Sequence, residues 1–427
     1  MAGDAAGNAV AARGSVHVAP MAAVSDRHWR MFIRCISPLP VLWSEMIWAH
    51  AIADESTADT ERIIGFSPEE RPIVLQLGGC DAAVLSRAAV VGAKRGYDAI
   101  NLNAGCPAAA CDRGTQRGIY GVRLMFEPEL IRECCSAMRE ALDRAGFDAV
   151  DVTVKCRLGV DDRDSFEALR DLVTTVSRAG VRHFIVHARK ADLALNANKN
   201  RSVPPLRPEW VTRLARELPH LQFTLNGGIG SAEEAYEWLH GDATVDGKLH
   251  GVMIGRRSNV EPFLYARWAA LEGRADACRS RGEALVLYSA YAARAQRANW
   301  GGSHPETLVR SLLGPLLGLC HNTPHGPRWR RALTRLFGQR DALRSTPVDA
   351  LIWQVVRECE LPDTFLESQP TRAVPAAAPP LPDHPRGALV AREEQPSAAA
   401  AREAAAQDDE RAFAALSISS TVGVAVA

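Results

Sequence analysis

The chain has 427 residues, fifty of them Lys or Arg against fifty Asp or Glu, and 47% are hydrophobic. Such a chain can hold two or three domains, or one barrel plus extras, and bury a large core, and a net charge of zero says nothing about partners. No apolar run reaches the ~18 residues of a membrane span. The ten cysteines are scattered without small-scaffold spacing, so they read as free thiols of a reducing compartment. A cytoplasmic setting is expected, with an organellar one left open. Cys106 and Cys111 resemble one end of a cluster motif, but no second pair at ligand spacing supports it, so no metal is expected.

Residues 1–14 are rich in Ala and Gly and lack the apolar core of a secretory signal; they are expected to be disordered. Residues 15–20 read as a short strand. Ser25 and Asp26 offer an N-cap for a helix to about Cys35. Residues 41–46 and 73–77 read as the second and third strands. Asp81 opens an Ala-rich helix to about Lys94. The fourth strand, 99–103, alternates Ile100 and Leu102 with Asn101 and Asn103, then stops at Gly105-Cys106-Pro107. Gly permits a turn there and Pro removes a backbone donor, so Cys106 is left at a strand tip. A thiol at such a place serves as nucleophile, as proton donor, or as an inert buried side chain.

Helix follows over 128–145, strand over 149–155, helix over 164–178 and strand over 183–187. Then come a helix over 209–217, a strand over 222–226, a helix capped by Ser231, and an eighth strand over 250–254. Strands this apolar are buried on both faces. Alternating with helices, they predict an α/β fold: a parallel (β/α)8 barrel over residues 15–270. The open doubly wound sheet is the alternative. It calls for a Gly-rich loop after the first strand, where the sequence is Ala19-Pro20-Met21-Ala22.

The predicted strand ends carry Pro20 and Met21, Glu45, Gln76, Asn103 with Cys106, Lys155, His187, Asn226-Gly227-Gly228, and Gly255-Arg256. Each has a bland reading: Gln76 as a satisfied core amide, His187 as a core histidine, Lys155 as a lysine that surfaces. In a barrel these ends converge on one mouth, which favours an active site. Glycines and a cation after the last two strands predict a phosphate site. It suits FMN, with Lys155 against the ring, or a sugar-phosphate substrate.

Residues 275–360 turn helical. Between Arg279 and Arg344 stand eleven Arg, no Lys and three acids (Glu283, Glu306, Asp341), a net +8. Aromatics interleave, and Arg328, Arg330 and Arg331 surround Trp329. The pattern is either a solvated helical face or a phosphate-backbone footprint. Residues 364–427 are rich in Pro and Ala and read as a disordered tail.

Several motifs resemble the tRNA-dihydrouridine synthases. They are Val18-Ala-Pro-Met21, Leu75-Gln-Leu-Gly-Gly79, Asn101-Leu-Asn-Ala-Gly-Cys-Pro107, Val152-Thr-Val-Lys155, His187-Ala-Arg-Lys190, Leu225-Asn-Gly-Gly-Ile229 and Gly255-Arg256. Asn200-Arg201, Pro204-Pro-Leu206 and Trp329-Arg-Arg331 resemble the A-type branch, the tRNA-dihydrouridine(20/20a) synthases. The resemblance implies reduction of the C5–C6 bond of D-loop uridines in tRNA, with FMN as cofactor and NADPH as reductant. It implies Cys106 as the acid that protonates C5, and Pro20, Met21, Gln76, Lys155, His187, Asn226, Gly227, Gly228, Gly255 and Arg256 as the FMN site. Asn103 would touch the uridine, and Lys199, Arg201, Arg328 and Arg330 would contact tRNA. A monomer is expected.

One departure stands beside the thiol. About four residues more than the family's usual run separate Cys106 from Gly121-Val-Arg-Leu-Met125, and they include Cys111. Two other functions remain open on the sequence: an FMN barrel reductase of a free pyrimidine, like dihydroorotate dehydrogenase, and a tRNA-binding protein with an inactive barrel. The Arg-rich helices oppose the first. Cys106 and Lys155 together oppose the second.

Overall fold

The structure, a computed structural model, describes residue 10 and residues 13–54, 58–107, 119–241, 248–300 and 304–368. Most of the segment 1–14, the loop with Cys111, and nearly all of the tail 364–427 lie outside the described residues.

Strands and helices alternate from the start: β1 (Ser15–Val18), α1 (Arg27–Ile36), β2 (Leu42–Trp48), α2 (Ala58–Ile64), β3 (Ile73–Gly78), α3 (Ala82–Lys94), β4 (Ala99–Ala104) and α4 (Pro128–Arg144). The second half repeats the pattern with β5 (Asp151–Arg157), α5 (Phe166–Ser177), β6 (His183–His187), α6 (Pro208–Glu217), β7 (Gln222–Asn226), α7 (Ala232–His240) and β8 (Gly251–Ile254). All neighbours are parallel, in the order β1-β8-β7-β6-β5-β4-β3-β2. Val41, just before β2, closes the ring: its N–H donates to Val16 O and its carbonyl accepts from Val18 N, both at 2.9 Å. The fold is a (β/α)8 TIM barrel.

Side chains alternate across each strand, so residues two apart share the barrel interior. A first interior layer is apolar: Ala19, Val41, Trp43, Val74, Ala99, Ile185 and Met253. Two residues further along the same faces come Gln76, Asn101, Lys155, His187 and Asn226. The interior thus turns polar toward the carboxyl ends, and this gradient makes the mouth. At the opposite end a histidine cluster plugs the barrel. Trp43 Nε1 donates to His17 Nδ1 at 3.2 Å, and His183 Nε2 pairs with Thr224 Oγ1 at 2.7 Å.

The caps follow the sequence in part. Asp26 Oδ1 accepts from His28 N and Trp29 N at 3.0 and 2.8 Å, so Asp26 caps α1. Ser25 instead accepts from Met21 N at 2.9 Å and shapes the β1 tip. Asp81 and Ser231 cap α3 and α7. Such caps contribute about 1 kcal/mol each. Two features differ from the sequence expectation. Helix α2 was not foreseen, because its only apolar pair, Ile63-Ile64, stands at its end. Strand β2 runs to Trp48 with its pairing to β3 shifted between Trp43 and Met46, so Glu45 lies at that irregularity within the strand.

After β8 the chain is helical: α8 (Arg256–Val260), α9 (Leu264–Leu271), α10 (Arg281–Arg297), α11 (Pro305–Leu313), α12 (Gly326–Gly338), α13 (Arg340–Ser345), α14 (Val348–Glu358) and α15 (Asp363–Leu366). Helix α10 packs on α1, with the Phe32 and Tyr288 rings 5.1 Å apart and His28 Nδ1 2.9 Å from Tyr291 Oη. Buried apolar side chains run from the barrel helices into this region without a break.

Candidate active site

The thiol turn is built by amides on β3 and β4 and a hydroxyl on β5. Asn101 Nδ2 donates to Thr153 Oγ1 at 2.9 Å, Gln76 Nε2 to Asn101 Oδ1 at 2.8 Å, and Asn103 Nδ2 to Gln76 Oε1 at 2.8 Å. That ladder fixes the Asn103 amide, whose Oδ1 accepts from Gly105 N at 3.0 Å and Cys106 N at 2.9 Å. Cys106 is thereby held at the end of β4, half-buried. Its carbonyl accepts from Val122 N at 2.9 Å. Gly121 has φ +57°, and a Cβ there would meet Cys106 O at 2.5 Å, so glycine alone allows this approach.

The facing wall comes from β5, β6 and β7. Lys155 Nζ donates to Asn226 Oδ1 at 2.9 Å, and Asn226 Nδ2 donates to Met253 O at 2.8 Å. Burial, reinforced by the Arg157 charge, lowers the Lys155 pKa to about 8. Burial also drives the His187 pKa well below its ordinary value, with Arg157 and Lys155 adding to it, so the imidazole is neutral. His187 Nδ1 is buried and has no protein partner. Gly227 and Gly228 carry φ of +105° and +80°, a backbone that L side chains rarely adopt, and Leu206 packs against Gly228. Pro20 and Met21 follow β1, whose end is joined to β8 by Ala19 N donating to Ile254 O at 2.8 Å. Gly255 and Arg256 follow β8 directly.

The mouth is cationic. Lys155, Arg157 and Arg201 each lie close enough to interact electrostatically with the Cys106 thiol, and Arg189 and Arg201 with Arg256. Among the described residues no carboxylate forms an ion pair with any of these five cations. Arg256 Nη2 donates to Arg201 O at 3.2 Å. Lys199 and Arg201 stand on a single 3-10 turn, Lys199–Arg201. Buried Asn200 organises it, donating to Asp192 O at 2.8 Å and Leu195 O at 2.9 Å. An unpartnered buried imidazole, two left-handed glycines and unpaired cations suit a phosphorylated group with an electron-rich ring.

Arg328 and Arg330 lie elsewhere, on α12. Arg328 is engaged, donating to Glu360 Oε2 at 2.8 Å and Glu358 O at 2.7 Å. Arg330 is exposed beside buried Trp329, whose indole donates to Leu316 O at 2.7 Å. Glu306 gathers Arg310, Arg340 and Arg344 at 3.0, 3.7 and 3.2 Å, so part of the +8 is offset locally. Sequence reasoning missed Arg157, which shares a face with Lys155 two residues earlier, a spacing that signals it. It also missed Ser44, whose Oγ accepts from Gln76 N at 3.0 Å. Among the described residues no three potential metal ligands cluster, and no helix is long and apolar enough to cross a membrane.

A family model described as Dihydrouridine synthase (Dus) matches residues 17–353. A protein named tRNA-dihydrouridine(20/20a) synthase from Xanthomonas campestris pv. campestris is 41% identical over 320 residues, 74% of this chain and 87% of the relative. The protein of that name from Synechocystis sp. is 39% identical over 320 residues, with the same coverage of 74% and 87%. Its Escherichia coli counterpart is 38% identical over 324 residues, 75% and 86% of the two chains. Among solved structures, morphinone reductase aligns at 14% identity over 63% of this chain and 88% of that chain with a TM-score of 0.40, too low to bear on function. The family match spans the barrel and most of the helical region, and on it the chain belongs to the dihydrouridine synthase family.

Proposed function

We propose that this protein reduces uridine to 5,6-dihydrouridine in the D-loop of tRNA, at positions 20 and 20a, with FMN as cofactor and NADPH as reductant. The observation that carries the reading is the Cys106 turn facing the Lys155–Asn226 pair within one cationic mouth. Relatives named tRNA-dihydrouridine(20/20a) synthase support the substrate and the positions.

Pro20, Met21, Gln76, Lys155, His187, Asn226, Gly227, Gly228, Gly255 and Arg256 would hold FMN. The chemistry FMN supplies when bound is hydride donation to C6 of the uracil. Lys155 provides positive charge toward the ring, and Asn226 directs its ammonium. Cys106 gives its thiol proton to C5, becomes a thiolate, and is reprotonated from solvent. The hydride and this proton together saturate the C5–C6 bond. Asn103 holds the thiol turn and lies beside the uridine. Lys199, Arg201 and Arg330 contact the tRNA backbone. Arg328 joins them by giving up its surface pair with Glu360, a cost of about 0–1 kcal/mol.

The test is direct. The purified protein should be yellow with one FMN, and deleting its gene should remove dihydrouridine from positions 20 and 20a when tRNA is mapped. A folded protein that stays colourless after saturation with FMN, or an unchanged dihydrouridine map, would overturn the reading.

A further inference from the structure

Arg157 is the last residue of β5 and is 4% exposed. Among the described residues no carboxylate pairs with it. Its guanidinium is spent on three backbone carbonyls instead. Nε donates to Gly105 O at 3.0 Å, and Nη1 donates to Lys190 O and Asn200 O, each at 3.0 Å. Gly105 directly precedes Cys106, and Asn200 directly precedes Arg201. One planar group therefore touches the residue before the thiol and the residue before the loop cation.

We propose that Arg157 is a positioning residue that ties the Cys106 turn to the loop of residues 190–207, so that thiol and tRNA-contacting loop keep one geometry. The inference rests on the functional reading above, since it assigns Arg157 to the alignment of that reaction's acid. The physical ground is reach. Proton transfer needs the thiol within hydrogen-bond distance of its target, and a displacement of ~1 Å costs on the order of 10²-fold in rate. The turn and the loop belong to different βα units, and Lys190 lies 85 positions after Gly105 in the sequence. Asn103 fixes the turn from β4, and Asn200 fixes the loop internally. Arg157 joins the two. Charge alone does not do this: the fork geometry of a guanidinium serves several acceptors at once, and an ammonium does not reproduce it.

The experiment uses the full-length holoenzyme with Arg157→Lys and Arg157→Gln. Lysine keeps the charge but cannot span both segments. Both variants should lower kcat for tRNA uridine reduction roughly 10–100-fold, while NADPH still reduces the bound flavin at the wild-type rate. Site-resolved mass spectrometry should show faster iodoacetamide alkylation of Cys106. The decisive arm is a double-mutant cycle read by that alkylation. Arg201→Ala should speed it in the wild-type background and add nothing in the Arg157→Lys background. If Arg157→Gln does not fold, Arg157→Lys carries the test alone. Wild-type turnover and alkylation in Arg157→Lys would reduce the role to charge and overturn the proposal. So would additive effects of Arg201→Ala and Arg157→Lys. The alkylation cycle needs no turnover, so it separates failure of this proposal from failure of the functional reading.

Discussion

Lys155 Nζ donates to Asn226 Oδ1 across 2.9 Å, and Met253 O holds the other end of the same amide at 2.8 Å. The amide is thus oriented by β8 and presents its oxygen to a buried ammonium whose pKa burial has lowered to about 8. Below that pH Lys155 is charged, and above it the charge is lost. FMN affinity of the apo-protein, followed by flavin fluorescence, should therefore fall as pH rises past about 8. Asn226→Asp places a carboxylate where the amide oxygen stands, which favours the charged lysine and should move the fall to higher pH. Lys155→Met should remove it. An affinity flat across that range in the wild type would show that Lys155 does not face the flavin.

Cys106 is held by contacts to its backbone, from Asn103 on one side and Val122 on the other. Cys106→Ala leaves those contacts in place. The variant should keep FMN and tRNA binding and lose ~10²–10⁴-fold in turnover, the usual contribution of a general acid. Single-turnover oxidation of the pre-reduced enzyme by tRNA is the measurement. Wild-type rates would assign the proton to another donor, with Cys111 the next residue to replace.

The barrel was legible because strands buried on both faces are written as apolar runs, as in β3 and β4, where every residue is buried. The mouth was legible because polar Gln76, Lys155, His187 and Asn226 recur toward the carboxyl ends of strands that are otherwise apolar. What was not legible are contacts whose partners lie far apart in sequence. The pairing of Arg328 with Glu360, 32 residues on, withdraws a cation that composition counted as available. Arg157 was missed although its spacing from Lys155 signals it, and its three carbonyl partners belong to two other loops. The shift within β2 that moves Glu45 off the strand end is set by pairing with β3, which a single strand does not encode.

The histidine plug predicts an acid limit to stability. Burial lowers the His17 pKa from 6.5 to about 3, with His250 adding to the effect. His183 moves in the same direction, by burial and by His17 and His250. Between pH 6.5 and 3 the unfolded chain binds protons at these rings that the folded one does not. Their contribution is therefore complete above pH 6.5 and is lost as pH falls toward 3. Urea midpoints should drop across that window. His17→Gln keeps an acceptor for Trp43 Nε1 and should make the drop shallower. An equal drop in the variant would place the acid sensitivity elsewhere.

The helical region poses the remaining question, whether its arginines meet tRNA or only water. A phosphate contact releases counterions, so log affinity falls with log salt by a slope that grows by roughly one per contact. Arg201→Ala and Arg330→Ala should each weaken tRNA binding and flatten that slope. Arg201→Ala should also cost more turnover, because Arg201 stands at the mouth, interacting with Arg256 and the Cys106 thiol. Arg328→Ala should flatten the slope less, since its guanidinium is already held by Glu360 and Glu358 O. Flavin reduction by NADPH should be unaffected by Arg330→Ala, which lies on α12 and outside the strand ends. Filter binding of tRNA at several salt concentrations gives all three slopes. If the Arg201 and Arg330 variants keep the wild-type slope, neither residue meets a phosphate, and α12 is then a packing helix whose Trp329 is buried for stability alone.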